Sequence, residues 1–161
     1  MNSIFLAILL SISPISELRG GIPYILSVSP LTFANVLALP LICILANILV
    51  VLPVFFFLDF LHHRFLSIHI YKKLFNFFIL GIQKKAKKLE PQIGKYGYIA
   101  LALFVAVPLP VTGAWTGALI AWLIGLDRKK SFAAIALGVL IAGVIVTLLT
   151  LAGLGVFRLF S

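Results

Sequence analysis

The chain has 161 residues, 63% hydrophobic and 11% charged, with a mean hydropathy of +1.23 and a net charge of +9. Soluble domains carry about 25% charged residues, so too little polar surface is left to cover a globule. The excess of Lys and Arg does not point to nucleic acid, because no basic, aromatic-interleaved soluble unit carries it.

The chain reads as one all-α integral membrane domain, residues 1–161. Its acids are only Glu17, Asp59, Glu90 and Asp127. Its basic residues gather in two loops between apolar segments, as in cytoplasmic loops, with anionic headgroups as counter-charge. No Lys or Arg precedes the first apolar run, so that run is expected to be mature structure and not a cleavable signal. The single Cys43 lies in an apolar run and reads as a small buried hydrophobe.

Residues 4–12 are apolar but reach only about 13 Å as a helix, whereas a span needs roughly 20 residues. A break follows at 13–21, then a second short run at 22–28 that closes at Ser29-Pro30. Two half-helices with the break at their tip fit this pattern, and Pro23 suits the first turn of the returning half.

Residues 31–58 form the first full span. At about 42 Å it exceeds the roughly 30 Å hydrocarbon core, so tilt or kinks at Pro40 and Pro53 are expected. Ala34, Ala38 and Ala46 make a small-residue stripe suited to close helix approach, and Asn47 reads as an interhelical hydrogen-bond partner.

Residues 59–95 are the one long polar stretch. Phe75, Ile79, Ile82, Ala86 and Leu89 keep a helical period, with Lys73, Lys84, Lys87 and Lys88 mainly opposite. An amphipathic helix on the membrane surface is expected here. His62, His63 and His69 lack a supporting carboxylate or Cys pattern, so no metal is expected. No cofactor motif is present either.

The second half repeats the plan. Short runs at 96–107 and 114–125 flank Pro108-Leu109-Pro110-Val111-Thr112-Gly113, with Thr112 as the expected N-cap of the returning helix. A basic loop, Asp127-Arg128-Lys129-Lys130, leads to a span at 132–157 with its own small-residue stripe, Ala134, Gly138 and Ala142.

The order is hairpin, span, surface helix, hairpin, span. Repeat 1 is 1–58, the connector 59–95 and repeat 2 96–161. One span separates the halves, so their re-entrant hairpins enter from opposite faces as an inverted repeat. A hairpin returns to its own side, so the loops 59–95 and 126–131 must share a face. Both are basic, which makes that face cytoplasmic.

Glu17 and Arg19 would together cost about 5–7 kcal/mol if unpaired in lipid. Such charges, and irregular backbone, are tolerated where they face protein or a hydrated cavity. The two tips are therefore expected to face each other. The returning helix N-termini, near Gly20 and Gly21 and near Thr112 and Gly113, form with Arg19 a place for an anionic or amphiphilic small molecule. Glu17 is the candidate carrier of a proton or cation, with a low-dielectric site raising its pKa. Trp115 and Thr116 are expected to line the same cavity. The competing structural reading pairs Glu17 with Arg19. No hydrolytic or transfer constellation is present, so an enzyme is not expected.

The motifs Glu17-Leu18-Arg19-Gly20-Gly21-Ile22-Pro23 and Pro108-Leu109-Pro110-Val111-Thr112-Gly113-Ala114-Trp115-Thr116-Gly117 resemble the putative small multidrug export protein family over nearly the whole chain. The resemblance implies a small multi-pass protein of the prokaryotic inner membrane. More distantly, the plan resembles DedA-type membrane proteins, which are associated with moving lipid phosphates. Those place an arginine in the second hairpin, where this chain has an uncharged tip. The expected function is a small transporter or exporter with its site between the tips, coupled to protons through Glu17. The alternatives are a lipid-phosphate translocase and a non-transporting membrane scaffold. Membrane lipids are the expected surroundings, and two spans offer so little material that a homodimer is expected.

Overall fold

The computed structural model describes residues 2–65, 90–109 and 112–160. Helices α1 (Asn2–Ile12), α2 (Glu17–Val28), α3 (Phe33–Leu49) and α4 (Val51–Phe65) make the first half. Helices α5 (Glu90–Ala106), α6 (Ala114–Ile124) and α7 (Arg128–Phe160) make the second. The heart of the expected surface helix, with its lysines and His69, lies outside the described residues.

Helices α1 and α2 pack on each other as a hairpin, and both pack on α3. Their turn occupies residues 13–16, shorter than the expected break at 13–21. Glu17, Arg19, Gly20 and Gly21 are therefore helical, and Pro23 lies in the interior of α2 and not in its first turn. The reason is local. Gly21 lies against Ser11 Oγ and the Ala7 carbonyl, and Gly20 against Ser16, so the glycine pair lets α2 close onto α1. Pro30 pushes Ser29 into extended backbone (φ −112°, ψ 149°), which ends α2. Thr32 then caps α3, its hydroxyl accepting from the Asn35 amide.

Helices α3 and α4 meet at Val50 and supply a 28-residue apolar stretch, Phe33–Phe60, long enough to cross a membrane. The interruption falls three residues before Pro53, which cannot donate a backbone bond to the preceding turn. Pro40 is accommodated inside α3 without ending it. The stripe of Ala34, Ala38 and Ala46 is not the packed face: Ala34 and Ala38 are exposed. Leu39, Cys43 and Asn47 face inward instead. This turn of the helix lets Asn47 Nδ2 reach the carbonyl of Ser11 at 2.6 Å, across the interface with α1. A buried amide with a partner wins over a stripe of alanines, because an unpaired one would cost about 1–3 kcal/mol.

Helix α5 starts at Glu90, inside the segment expected to belong to the connector, with Pro91 in its first turn, where a missing N–H costs nothing. Its main packing partner is α7. Gly138 of α7 meets the Ala102 carbonyl and Val105, with Ala134 and Ala142 buried on either side, so this small-residue stripe does set the close approach. Helix α6 ends at Gly125 (φ 77°), whose amide bonds to Trp122 O while the Leu126 amide bonds to Ala121 O. That pairing is a Schellman closure, and it needs the left-handed residue at its corner. Asp127 then caps α7, its side chain accepting from the Lys130 amide at 3.0 Å.

The two halves interlock. The short helix α2 lies against α7, and the short helix α6 lies against α4. Gly143 admits Ile44 and Leu18 at the first contact. At the second, Trp122 Nε1 donates to Asp59 Oδ1 at 2.9 Å, and Arg128 pairs with the same carboxylate at 2.5 Å. Large apolar side chains point away from the core along the length of the molecule, among them Phe5 (64% exposed), Phe56 (75%) and Leu148 (62%). Water would penalise such a surface, and lipid would not.

Candidate functional site

The turns of the two hairpins touch. Glu17 opens α2 in the left-handed region, φ 47°. A non-glycine residue held there stores about 1–3 kcal/mol, which persists only when its surroundings over-determine it. The surroundings are the second hairpin. Glu17 is 7% exposed. Its Oε1 accepts from the backbone amide of Trp115 at 3.4 Å, and the amide of Ala114 lies against the same carboxylate. These are the first two residues of α6, whose amides have no partner within their own helix. The carboxylate of one hairpin thus caps the other, where the helix dipole also favours negative charge.

Gly113 makes this possible. It is the N-cap of α6 at φ 157°, ψ −165°, a conformation close to glycine-only. A Cβ there would overlap the Glu17 carboxyl group. Thr112 is not the cap expected from the sequence. Its hydroxyl folds back and donates to the Val107 carbonyl at 2.5 Å while accepting from the Leu109 amide at 3.1 Å, which closes the turn. The cap is free for Glu17 because Thr112 is occupied elsewhere.

A second bond runs the other way. Trp115 Nε1 donates to the Ile12 carbonyl at 3.0 Å, at the C-terminus of α1. That carbonyl is one of the unpaired acceptors of a helix end. Each hairpin therefore satisfies a helix terminus of the other.

Of the remaining candidates, Gly20 and Gly21 serve the α1–α2 contact and not the tip of a helix N-terminus. Thr116 Oγ1 donates to Gly113 O at 3.3 Å, within its own helix. Arg19 makes no ion pair with Glu17, and among the described residues it makes no hydrogen bond.

Among the described residues, two cavities adjoin the contact. One lies between the tips, bounded by Glu17, Asn47, Pro108, Thr112 and Gly113, and has a volume of about 20 Å³, room for roughly one water. The other is a cleft of about 630 Å³ beside it, between α2, Pro108 and the later turns of α7. Arg19, Pro108 and Val146 line both. No expectation from the sequence covers the walls of the larger cleft as a whole. Its signals are the i, i+4, i+8 face of Arg19, Pro23 and Ser27, and the matching run of Val146, Thr150 and Gly153 on α7.

Among the described residues two apolar helical stretches are long enough to cross a bilayer, Phe33–Phe60 over α3 and α4 and Arg128–Gly155 in α7, and the outer surface carries large apolar side chains, as suits a membrane protein. No curated protein and no solved structure matches the chain. Residues 17–145 match the family described as putative small multi-drug export protein. That stretch holds the turn of the second hairpin and Glu17, the carboxylate that joins it to the first, and the chain belongs to this family.

Proposed function

We propose that the chain is a small membrane exporter whose two hairpins are re-entrant, enter from opposite faces as an inverted repeat, and open and close a path at their tips. The observation that carries this reading is the reciprocal capping of the tips by Glu17 and Trp115. Helix ends that stopped in lipid would leave several N–H and C=O groups unpaired at several kcal/mol each. Here each turn supplies what the other lacks. The exchange of short helices, α2 onto α7 and α6 onto α4, supports the two-fold plan. The bonds from Asp59 to Trp122 and Arg128 support a common face for the two basic loops.

In this reading the structure is the closed state, with room for about one water between the tips. Glu17 is the moving part. Ionised, it makes charge-assisted bonds to the amides of α6. Protonated, it makes neutral ones about half as strong. Protonation therefore loosens the latch and lets the gap join the larger cleft at Arg19, Pro108 and Val146.

Flux from reconstituted vesicles tests this. Candidate substrates should run from cationic drugs to lipid phosphates, with a pH gradient imposed and reversed. Glu17→Gln and Arg19→Ala are expected to lower flux at least tenfold while the protein still folds and assembles. Assembly lost with no flux to lose would identify a scaffold and overturn the proposal.

A further inference from the structure

The larger cleft has the make-up of a ligand site and not of a packing fault. Ligand pockets run to about 300–1,000 Å³, with mostly apolar walls and a few placed polar groups. This cleft is about 630 Å³, and its walls are mostly apolar, with Leu149 and Leu154 on the α7 side. Its polar lining is Arg19, Tyr24, Ser27 and Thr150. Two of these hydroxyls donate within their own helices, Ser27 to Tyr24 O and Thr150 to Val146 O. Arg19 is different: among the described residues it is the one charged group in the lining, and nothing bonds to it. The nearby carboxylate, Glu17, is turned to the amides of α6.

We infer that this cleft binds an amphiphilic anion: a single carboxylate, sulfonate or phosphate held by the Arg19 guanidinium, with an apolar body along the α7 wall. The Glu17 carboxylate acts on Arg19 only through space and spends its hydrogen bonds on α6, so the guanidinium keeps its donors for a ligand, and it is built to bind such groups in a fork of two hydrogen bonds. The apolar wall adds the second requirement. A small inorganic anion would leave most of the cleft unfilled, and an apolar cation would meet Arg19 with like charge. The inference rests on the transport reading in that it names the class of cargo. The ligand's headgroup lies next to the tip contact, since Arg19 and Pro108 border both spaces.

Two glycines of α7 make the test clean. A Cβ at Gly153 or at Gly155 would meet nothing within 4 Å, so larger side chains fit at either without disturbing packing. Only Gly153 lines the cleft. The whole chain, in nanodiscs of uncharged phosphatidylcholine, would be titrated with radiolabelled laurate and, separately, dodecyltrimethylammonium, subtracting empty discs. We expect saturable laurate binding and none of the cation. Binding should weaken at least tenfold in Arg19→Gln and in Gly153→Leu, recover in part in Arg19→Lys, and stay unchanged in Gly155→Leu. Adding phosphatidylglycerol to the discs separates two sources of the same chemistry: competition assigns the site to a lipid headgroup, and no competition assigns it to a free anion. Equal binding of the cation, no saturable laurate binding, or laurate binding indifferent to either Arg19→Gln or Gly153→Leu would each overturn the inference. Binding without vesicle flux would sink the transport reading and leave the site standing. Flux of cations alone, without laurate binding, would do the reverse.

Discussion

The Glu17 side chain and the Trp115 backbone amide, 98 residues apart in sequence, meet at 3.4 Å where the two hairpins touch. The contact explains three otherwise unrelated features: a left-handed glutamate, a glycine with no room for a Cβ, and a tryptophan whose indole reaches back to Ile12. Each is awkward alone. Together they close two helix ends at once.

Gly113→Ala should therefore destabilise the protein through Glu17 and not only through its own backbone. The new Cβ would displace a buried carboxylate from its two amides, at a cost of about 3 kcal/mol. In a Glu17→Ala background the overlap is gone, and only the backbone term of about 1–2 kcal/mol remains. A double-mutant cycle should show that shortfall from additivity. Cys43 gives the readout. It is the chain's only cysteine and is 1% exposed, so a thiol-reactive dye labels it on unfolding.

Asn47→Leu removes the bond from Nδ2 to the Ser11 carbonyl and leaves that buried acceptor without its partner. A loss of about 1–3 kcal/mol is expected when Cys43 labelling is followed along a thermal ramp. Asn47→Asp should be at least as harmful, because a carboxylate cannot donate and would face the carbonyl with like polarity. An unchanged melting point in Asn47→Leu would show that the bond contributes nothing.

Much of this arrangement was legible in the chain, and the parts that were not share a cause. The lengths and breaks of apolar runs place the short helices and the long apolar stretches among the described residues, because the bilayer thickness and proline leave little choice, but they do not give the split of 31–58 into α3 and α4 or the early starts of α2 and α5. The cost of charge in an apolar run singles out Glu17. On α3 the expected interhelical role of Asn47 holds, while the expected stripe of Ala34 and Ala38 faces outward. The cap of α6 was assigned to Thr112, the local candidate. Its actual acceptor comes from the other hairpin, and no local rule reaches across 98 residues. The large cleft was missed because it is made by the juxtaposition of α2 with α7, although each wall has a helical face visible in the sequence.

At the opposite junction, Asp59 accepts from both Trp122 and Arg128, and Arg128 also stacks over Phe55 at 5.2 Å. The Asp59 and Arg128 side chains are 43% and 45% exposed, so solvent screens the pair and its worth is about 0–1 kcal/mol. Asp59→Asn, which keeps an oxygen for the indole, should cost no more than that, and the cost should shrink in high salt. Asp59→Ala loses the indole bond as well and should cost about 1 kcal/mol more. Melting both variants at low and high ionic strength separates the two contributions.

The Asp59–Arg128 pair also bears on topology, because it ties the start of the first basic loop to the second. If the second hairpin re-enters, both loops must lie on one side of the membrane. Single cysteines at Lys85 and Lys129, in a Cys43→Ala background, should then react with an impermeant thiol reagent from the cytoplasmic side only. Were residues 96–125 a complete span, the two cysteines would be labelled from opposite sides. Labelling intact cells and then inverted vesicles distinguishes these outcomes without any assumption about substrate. The prediction is strict because a hairpin and a span differ in the parity of crossings. Tilt, kinks or local thinning of the bilayer can stretch or shorten a segment, but none of them can change which side its end emerges on.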